Sequence, residues 1–101
     1  MPEDSSLARL AVMARGLRAW SPQPALTVNQ ATLRVVKLDA RAPELHTHEI
    51  DECYVVLEGE LVIEIEGQPT NHLAKGDAFV VRAGTRHRPL AMPQASILLI
   101  T

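Results

Sequence analysis

The chain has little cysteine and no surplus of positive charge. Cys53 is the single cysteine in 101 residues, so an internal disulfide framework is excluded and a reducing, cytoplasmic setting is expected. Ten Lys and Arg stand against twelve Asp and Glu, giving a formal charge of -2 and a pI of about 6.0. That balance does not favour the phosphate backbone, and nucleic acid is not an expected partner. No stretch approaches the roughly 18 consecutive apolar residues of a membrane span. The opening MPEDSSLARLAVMARG has no basic segment followed by a long apolar run, so neither a membrane span nor an export signal is expected. A second hydrophobic core is excluded by length, but 47% hydrophobic residues with no long polar tract suffice for one.

Two kinds of pattern divide the chain. Over residues 1–24 the expectation is a helix and a connector. Leu7, Leu10, Ala11, Ala14 and Leu17 recur at steps of three and four, which describes one helical stripe. Ser5 or Ser6 is placed to cap its start, while Gly16, Pro22 and Pro24 stop it near Trp20. Trp20, the only tryptophan, reads as the anchor of this segment. Residues 25–101 form the expected β domain. Short β-rich runs are predicted over 25–28, 32–39, 52–57, 60–66, 71–74, 78–82, 87–90 and 96–101, with turns at EG (58–59), EGQP (66–69), KGD (75–77) and AGT (83–85). In ELVIEIE, Leu61, Ile63 and Ile65 alternate with glutamates, so that strand has one buried and one wet side. Many short strands at regular intervals indicate an all-β sandwich or barrel.

The chemistry concentrates in HTHEIDE. His46, His48 and Glu52 are all even-numbered, so on an unbroken extended segment they point to one face, and Tyr54 and Val56 continue it with apolar lining. His87 follows the glycine turn of KGDAFVVRAGTRH. Three imidazoles and a carboxylate suit a divalent transition metal such as Fe, Mn, Ni, Cu or Zn, and do not suit Ca²⁺ or Mg²⁺.

HTHEIDECYVVLEG resembles the first cupin motif through His46, His48, Glu52 and Gly59, and GDAFVVRAGTRH resembles the second through Gly76, Gly84 and His87. The sequence departs from those motifs at Ala40, Arg82 and Ala91. The resemblance implies a small single-domain cupin, a jelly-roll β-barrel with a short N-terminal helix. It implies a metal held inside by His46, His48, Glu52 and His87, and assembly as a homodimer.

Tyr54 reads first as a core residue with a satisfied hydroxyl; in the functional reading it is placed to orient a substrate or donate a proton, and Arg82 to meet an anionic ligand. Alternation turns Arg86 and Arg88 away from His87, toward solvent or toward the glutamates of 60–66 in a second subunit. His72 is expected in solvent, and Cys53 on the face opposite the ligands, as a packing residue. The functional expectation is a metal-dependent enzyme acting on a small organic molecule, dioxygenase- or isomerase-like. The alternative is a non-catalytic binder of a sugar or organic anion. A metal that only staples the barrel is a third reading.

Overall fold

The computed structural model describes residues 5–101. One helix, α1 (Leu10–Arg15), precedes six strands: β1 (Gln23–Val28), β2 (Ala31–Leu38), β3 (Glu52–Ile65), β4 (Asn71–Leu73), β5 (Ala78–Val81) and β6 (His87–Ile100). All pairings are antiparallel, in the order β1-β2-β6-β3-β4, with β5 also on β3. This is the expected jelly-roll architecture. No helix among the described residues is long and apolar enough to cross a membrane.

The long strands β3 and β6 correct the sequence reading. Each was expected as two short strands, split at EG (58–59) and after Leu90. Instead they pair continuously from Cys53 with Ile100 to Ile65 with His87, with register shifts around Glu58 and Gly59. Gly59 has φ +81°, and a Cβ there would overlap the carbonyl oxygen of Gln94. The glycine thus serves a bulge where two backbones touch, and Met92, Pro93 and Gln94 form the matching excursion of β6, so no turn is needed.

Alternation sorts the side chains. Val36, Ile97 and Val56 pair in register and face inward with Leu61, Ile63 and Leu73, forming the core. Burying each large aliphatic side chain contributes roughly 2 kcal/mol. On the outer side, Val35, Leu98 and Val55 lie in register, and α1 packs across β2, β6 and β3. Ala14 and Val35 are fully buried.

The helix is shorter than its stripe. It begins at Leu10 with Arg9 at the N-cap position and no side-chain capping bond, so the expected cap from Ser5 or Ser6 does not form, and Leu7 is exposed. A helix of this length is unstable alone, and only the turns that reach the sheet are helical. Trp20 does anchor the segment: its backbone N–H bonds Lys37 O at 2.8 Å, its indole N–H bonds Asp39 Oδ1 at 2.8 Å, and its ring packs on the core. The Arg41 side chain, then the indole and the Arg41 amide, hold the Asp39 carboxyl down to about 2.

Arg88 lies directly opposite Glu64 in the β3–β6 register and bonds it at 2.8 Å, and Arg86 bonds Glu66 at 2.8 Å. Both arginines face away from His87, as expected, but their glutamate partners belong to the same chain. His72 is exposed, and Cys53 sits on the outer side in register with Val80 and Ile100.

Candidate metal centre

His87 is the first residue of β6, and His46 forms an isolated antiparallel bridge with it. The two exchange both backbone bonds, His46 N–H to His87 O and His87 N–H to His46 O, each at 2.9 Å. Directly opposed residues project to the same side of a sheet, so their imidazoles stand side by side.

His48 arrives differently from the sequence expectation. Residues 47–51 are not a strand; the chain bends at Glu49 and Ile50. The loop is tied to the turn that precedes His87. Gly84 N–H bonds His48 O at 2.9 Å, Ala83 N–H bonds Asp51 Oδ1 at 2.8 Å, and Arg82 Nη1 bonds Asp51 Oδ2 at 3.1 Å. The Ala83 amide, and after it the Arg82 guanidinium, hold the Asp51 carboxyl below the usual carboxylate range. The turn closes on itself through Thr85 N–H to Arg82 O at 3.1 Å.

The ring centroids of His46 lie 4.7 Å from those of both His48 and His87, and His48 lies 5.6 Å from His87. One nitrogen from each ring falls within 4.8 Å of the other two. His46 Nδ1 is 2.8 Å from Glu44 O, and His87 Nδ1 is 2.8 Å from Thr85 O. A carbonyl only accepts, so both Nδ1 atoms carry a proton, and in the neutral imidazole tautomer this selects, the lone pair is on Nε2. Carbonyls behind imidazoles in this way set the ring orientation of metal-binding histidines.

Glu52 is buried against this group, its Oε1 at 3.2 Å from His87 Nε2 and 3.5 Å from His48 Nε2. Tyr54 O–H donates to the same Oε1 at 3.3 Å, with its oxygen 3.5 Å from His87 Nε2. Burial, and after it the Glu52 carboxylate, push the Tyr54 phenol well above its ordinary range, so it stays neutral and donates. The three imidazoles converge, the Glu52 carboxylate lies against His48 and His87, and one phenol bonds that carboxylate. Acceptors gathered around a point suit a cation, and nitrogen-rich acceptors suit a transition metal. The side chain of His87 is 1% exposed and that of His48 is 43% exposed, so solvent reaches the cluster from the His48 side.

The structure therefore brings together His46, His48 and His87, sets Glu52 against two of them and places Tyr54 behind Glu52. Arg82 does not join them; its side chain is 74% exposed and engaged with Asp51. Asp51 escaped the sequence reading because a loop residue outside strand alternation carries no facing signal. The carbonyls of Glu44 and Thr85 left no trace either, since backbone acceptors have no residue type.

Residues 33–100 match the family model of the cupin domain. A cupin-2 domain containing protein from Shewanella frigidimarina is 26% identical, with a TM-score of 0.84 over 94% of this chain and 92% of that one. KdgF from Halomonas is 27% identical, with a TM-score of 0.68 over 78% of this chain and 74% of that one. The DMSP lyase DddQ from Ruegeria pomeroyi is 25% identical, with a TM-score of 0.63; the similarity spans 69% of this chain and 36% of the lyase. No protein of curated function matches the sequence.

Proposed function

Because this chain belongs to the cupin domain family, we propose that it is a metal-dependent enzyme acting on a small organic molecule, with His46, His48, Glu52 and His87 as the ligands of a divalent transition metal. One observation carries the reading. The Nδ1 atoms of His46 and His87 are committed to carbonyls at 2.8 Å, which leaves the Nε2 atom of each ring for the cluster with His48, and the buried Glu52 carboxylate lies against His87 and His48. Such a metal supplies Lewis acidity or electron transfer to a bound oxygen ligand.

The chain's own residues do the rest. Tyr54 fixes the Glu52 carboxylate through its phenol, and the exposed side of His48 is the way in for substrate. The apolar wall beyond Tyr54 excludes water from the inner side. DddQ, a lyase, supports a catalytic reading over a purely binding one. The test is the metal content of protein purified without added metal, with electron paramagnetic resonance and a substrate screen. About one equivalent of Fe, Mn, Ni, Cu or Zn is expected. Protein that neither retains nor takes up such a metal refutes the assignment.

The active form is a homodimer. Across the outer side of the sheet, Val80, Cys53, Ile100, Leu33 and Leu26 follow one another in register, and none is fully buried. A continuous apolar row of this kind is covered in stable assemblies. Light scattering at tens of micromolar, at roughly twice the chain mass, is the expected result, and a monomer mass contradicts it.

A further inference from the structure

Arg34 stands on the inner side of the barrel near the metal centre. It pairs with Leu99 of β6, Leu99 pairs with Tyr54 of β3, and Tyr54 with Phe79 of β5. Directly paired antiparallel residues share a side, so the stem of Arg34 lies on the same side as the phenol that touches Glu52. One step further along, Cys53 pairs with Ile100, which brings Thr101 abreast of Glu52. The Arg34 guanidinium reaches that position and donates from Nη1 to Thr101 Oγ1 at 2.8 Å, partly buried.

Two features set this arginine apart. Arg15, Arg41, Arg82, Arg86 and Arg88 each hold a carboxylate, while among the described residues Arg9 and Arg18 hold none but are exposed. Among the described residues Arg34 holds only a hydroxyl, although it is partly withdrawn from water. The second feature is space. Leu99 and Phe79 point inward yet are only half-buried, whereas Val36, Val56 and Ile97, one step deeper, are closed over. Solvent therefore reaches the row that carries Arg34 at Leu99 and Phe79, although Tyr54 between them is closed over. A guanidinium partly out of water and in no direct ion pair with an Asp or Glu side chain favours an anion, and its planar fork matches a carboxylate.

We propose that Arg34 binds the carboxylate of a small organic acid whose other end carries an oxygen donor for the metal centre. This rests on the metal-dependent reading for its second point of attachment, and it narrows the substrate class of that site from organic molecules at large to small oxygenated monocarboxylates. Sugars without a charge would leave Arg34 unpaired and are disfavoured.

The experiment uses pyruvate and 4-oxopentanoate as probes, each against its methyl ester. They are titrated by calorimetry into metal-free and zinc-loaded protein, as wild type, R34Q and R34K. At least one acid is expected to bind zinc-loaded wild type about tenfold or more tighter than its ester. R34Q removes that preference, R34K keeps part of it, and zinc affinity is equal in all three. In ¹⁵N spectra of the wild type the acid shifts the amides of Arg34, Leu99 and Thr101, a readout that stands even if R34Q fails to fold. Equal binding of acid and ester, or a preference that survives in R34Q, overturns the proposal, as do shifts confined to the Arg15 and Lys37 surface. Failure of the metal reading has its own signature. Zinc then fails to bind wild type at one equivalent, while an Arg34-dependent preference in metal-free protein still supports the carboxylate subsite.

Discussion

His46 and His87 exchange two backbone hydrogen bonds of 2.9 Å and hold their Nδ1 atoms on carbonyls two residues back, at 2.8 Å each. The pair repeats one local device on two separate segments. It makes the orientation of both imidazoles a property of the backbone.

The double substitution His46→Ala and His48→Ala removes two of the converging nitrogens and is expected to abolish stoichiometric metal binding, with most of the fold retained. Equilibrium dialysis with metal analysis checks this; one retained equivalent refutes the ligand set. Protons compete for imidazole nitrogens, whose reference pKa is about 6.5, so wild-type metal affinity should fall steeply between about pH 7 and pH 5. A flat profile would count against ligation by several histidines.

Asp51 touches none of the imidazoles, yet it ties the His48 loop to the turn before His87. Asp51→Ala should lower metal affinity about tenfold, in the range of supporting partners around metal sites. Competition with a chelator of known affinity measures it. Arg82→Ala removes only the ion-pair half of the tie and should cost less, since the Ala83 amide still reaches the carboxylate.

Gly59 and Gly67 both have positive φ, +81° and +77°, but only Gly59 has a backbone against its missing side chain. Gly67→Ala should cost about 1 kcal/mol, the conformational term alone. Gly59→Ala adds the overlap with Gln94 and should cost about 3 kcal/mol. Urea unfolding separates them; equal losses would mean that the close approach carries no energy.

Trp20 is the sole tryptophan and bonds Asp39, so its fluorescence reports that contact. The Asp39 carboxyl is lowered from 3.8 to about 2, chiefly by the Arg41 side chain and then the indole. A depressed acid stabilises above its unfolded value and loses that contribution as pH falls through the folded one. A fluorescence change between pH 3.8 and about 2 is therefore expected, absent in Asp39→Asn. A transition centred at or above 3.8 in the wild type would show that the contact does not form in solution.

The sequence made the barrel and its four principal polar residues legible because strand alternation and histidine spacing are written in residue types. Two joints were misread. Gly59 in EG looks like a turn glycine, and only the strand opposite shows that it sits where backbones touch. HTHEIDE looks like one extended face, but the chain bends at Glu49 and Ile50, and long-range bonds from Ala83 and Gly84 carry His48 into place. Arg34 went unremarked since nothing local distinguishes it. Its neighbours Leu99 and Tyr54 come from distant strands.

The two long strands have a further consequence. Glu52 opens β3 and His87 opens β6, and because the strands run antiparallel these residues lie at opposite ends of one paired ribbon. At about 3.3 Å per residue such a ribbon would stretch roughly 45 Å, yet Glu52 Oε1 and His87 Nε2 are 3.2 Å apart. The ribbon curls back until its ends meet, and Gly59 with Met92, Pro93 and Gln94 marks the break in register between them. An ion gripped by both ends would act as a clasp, and thermodynamic reciprocity extends its influence to the middle of the curl. Loading the site should slow amide hydrogen exchange around Gly59 and Ala95, and a stiffer or looser bend there should retune the grip without touching a ligand.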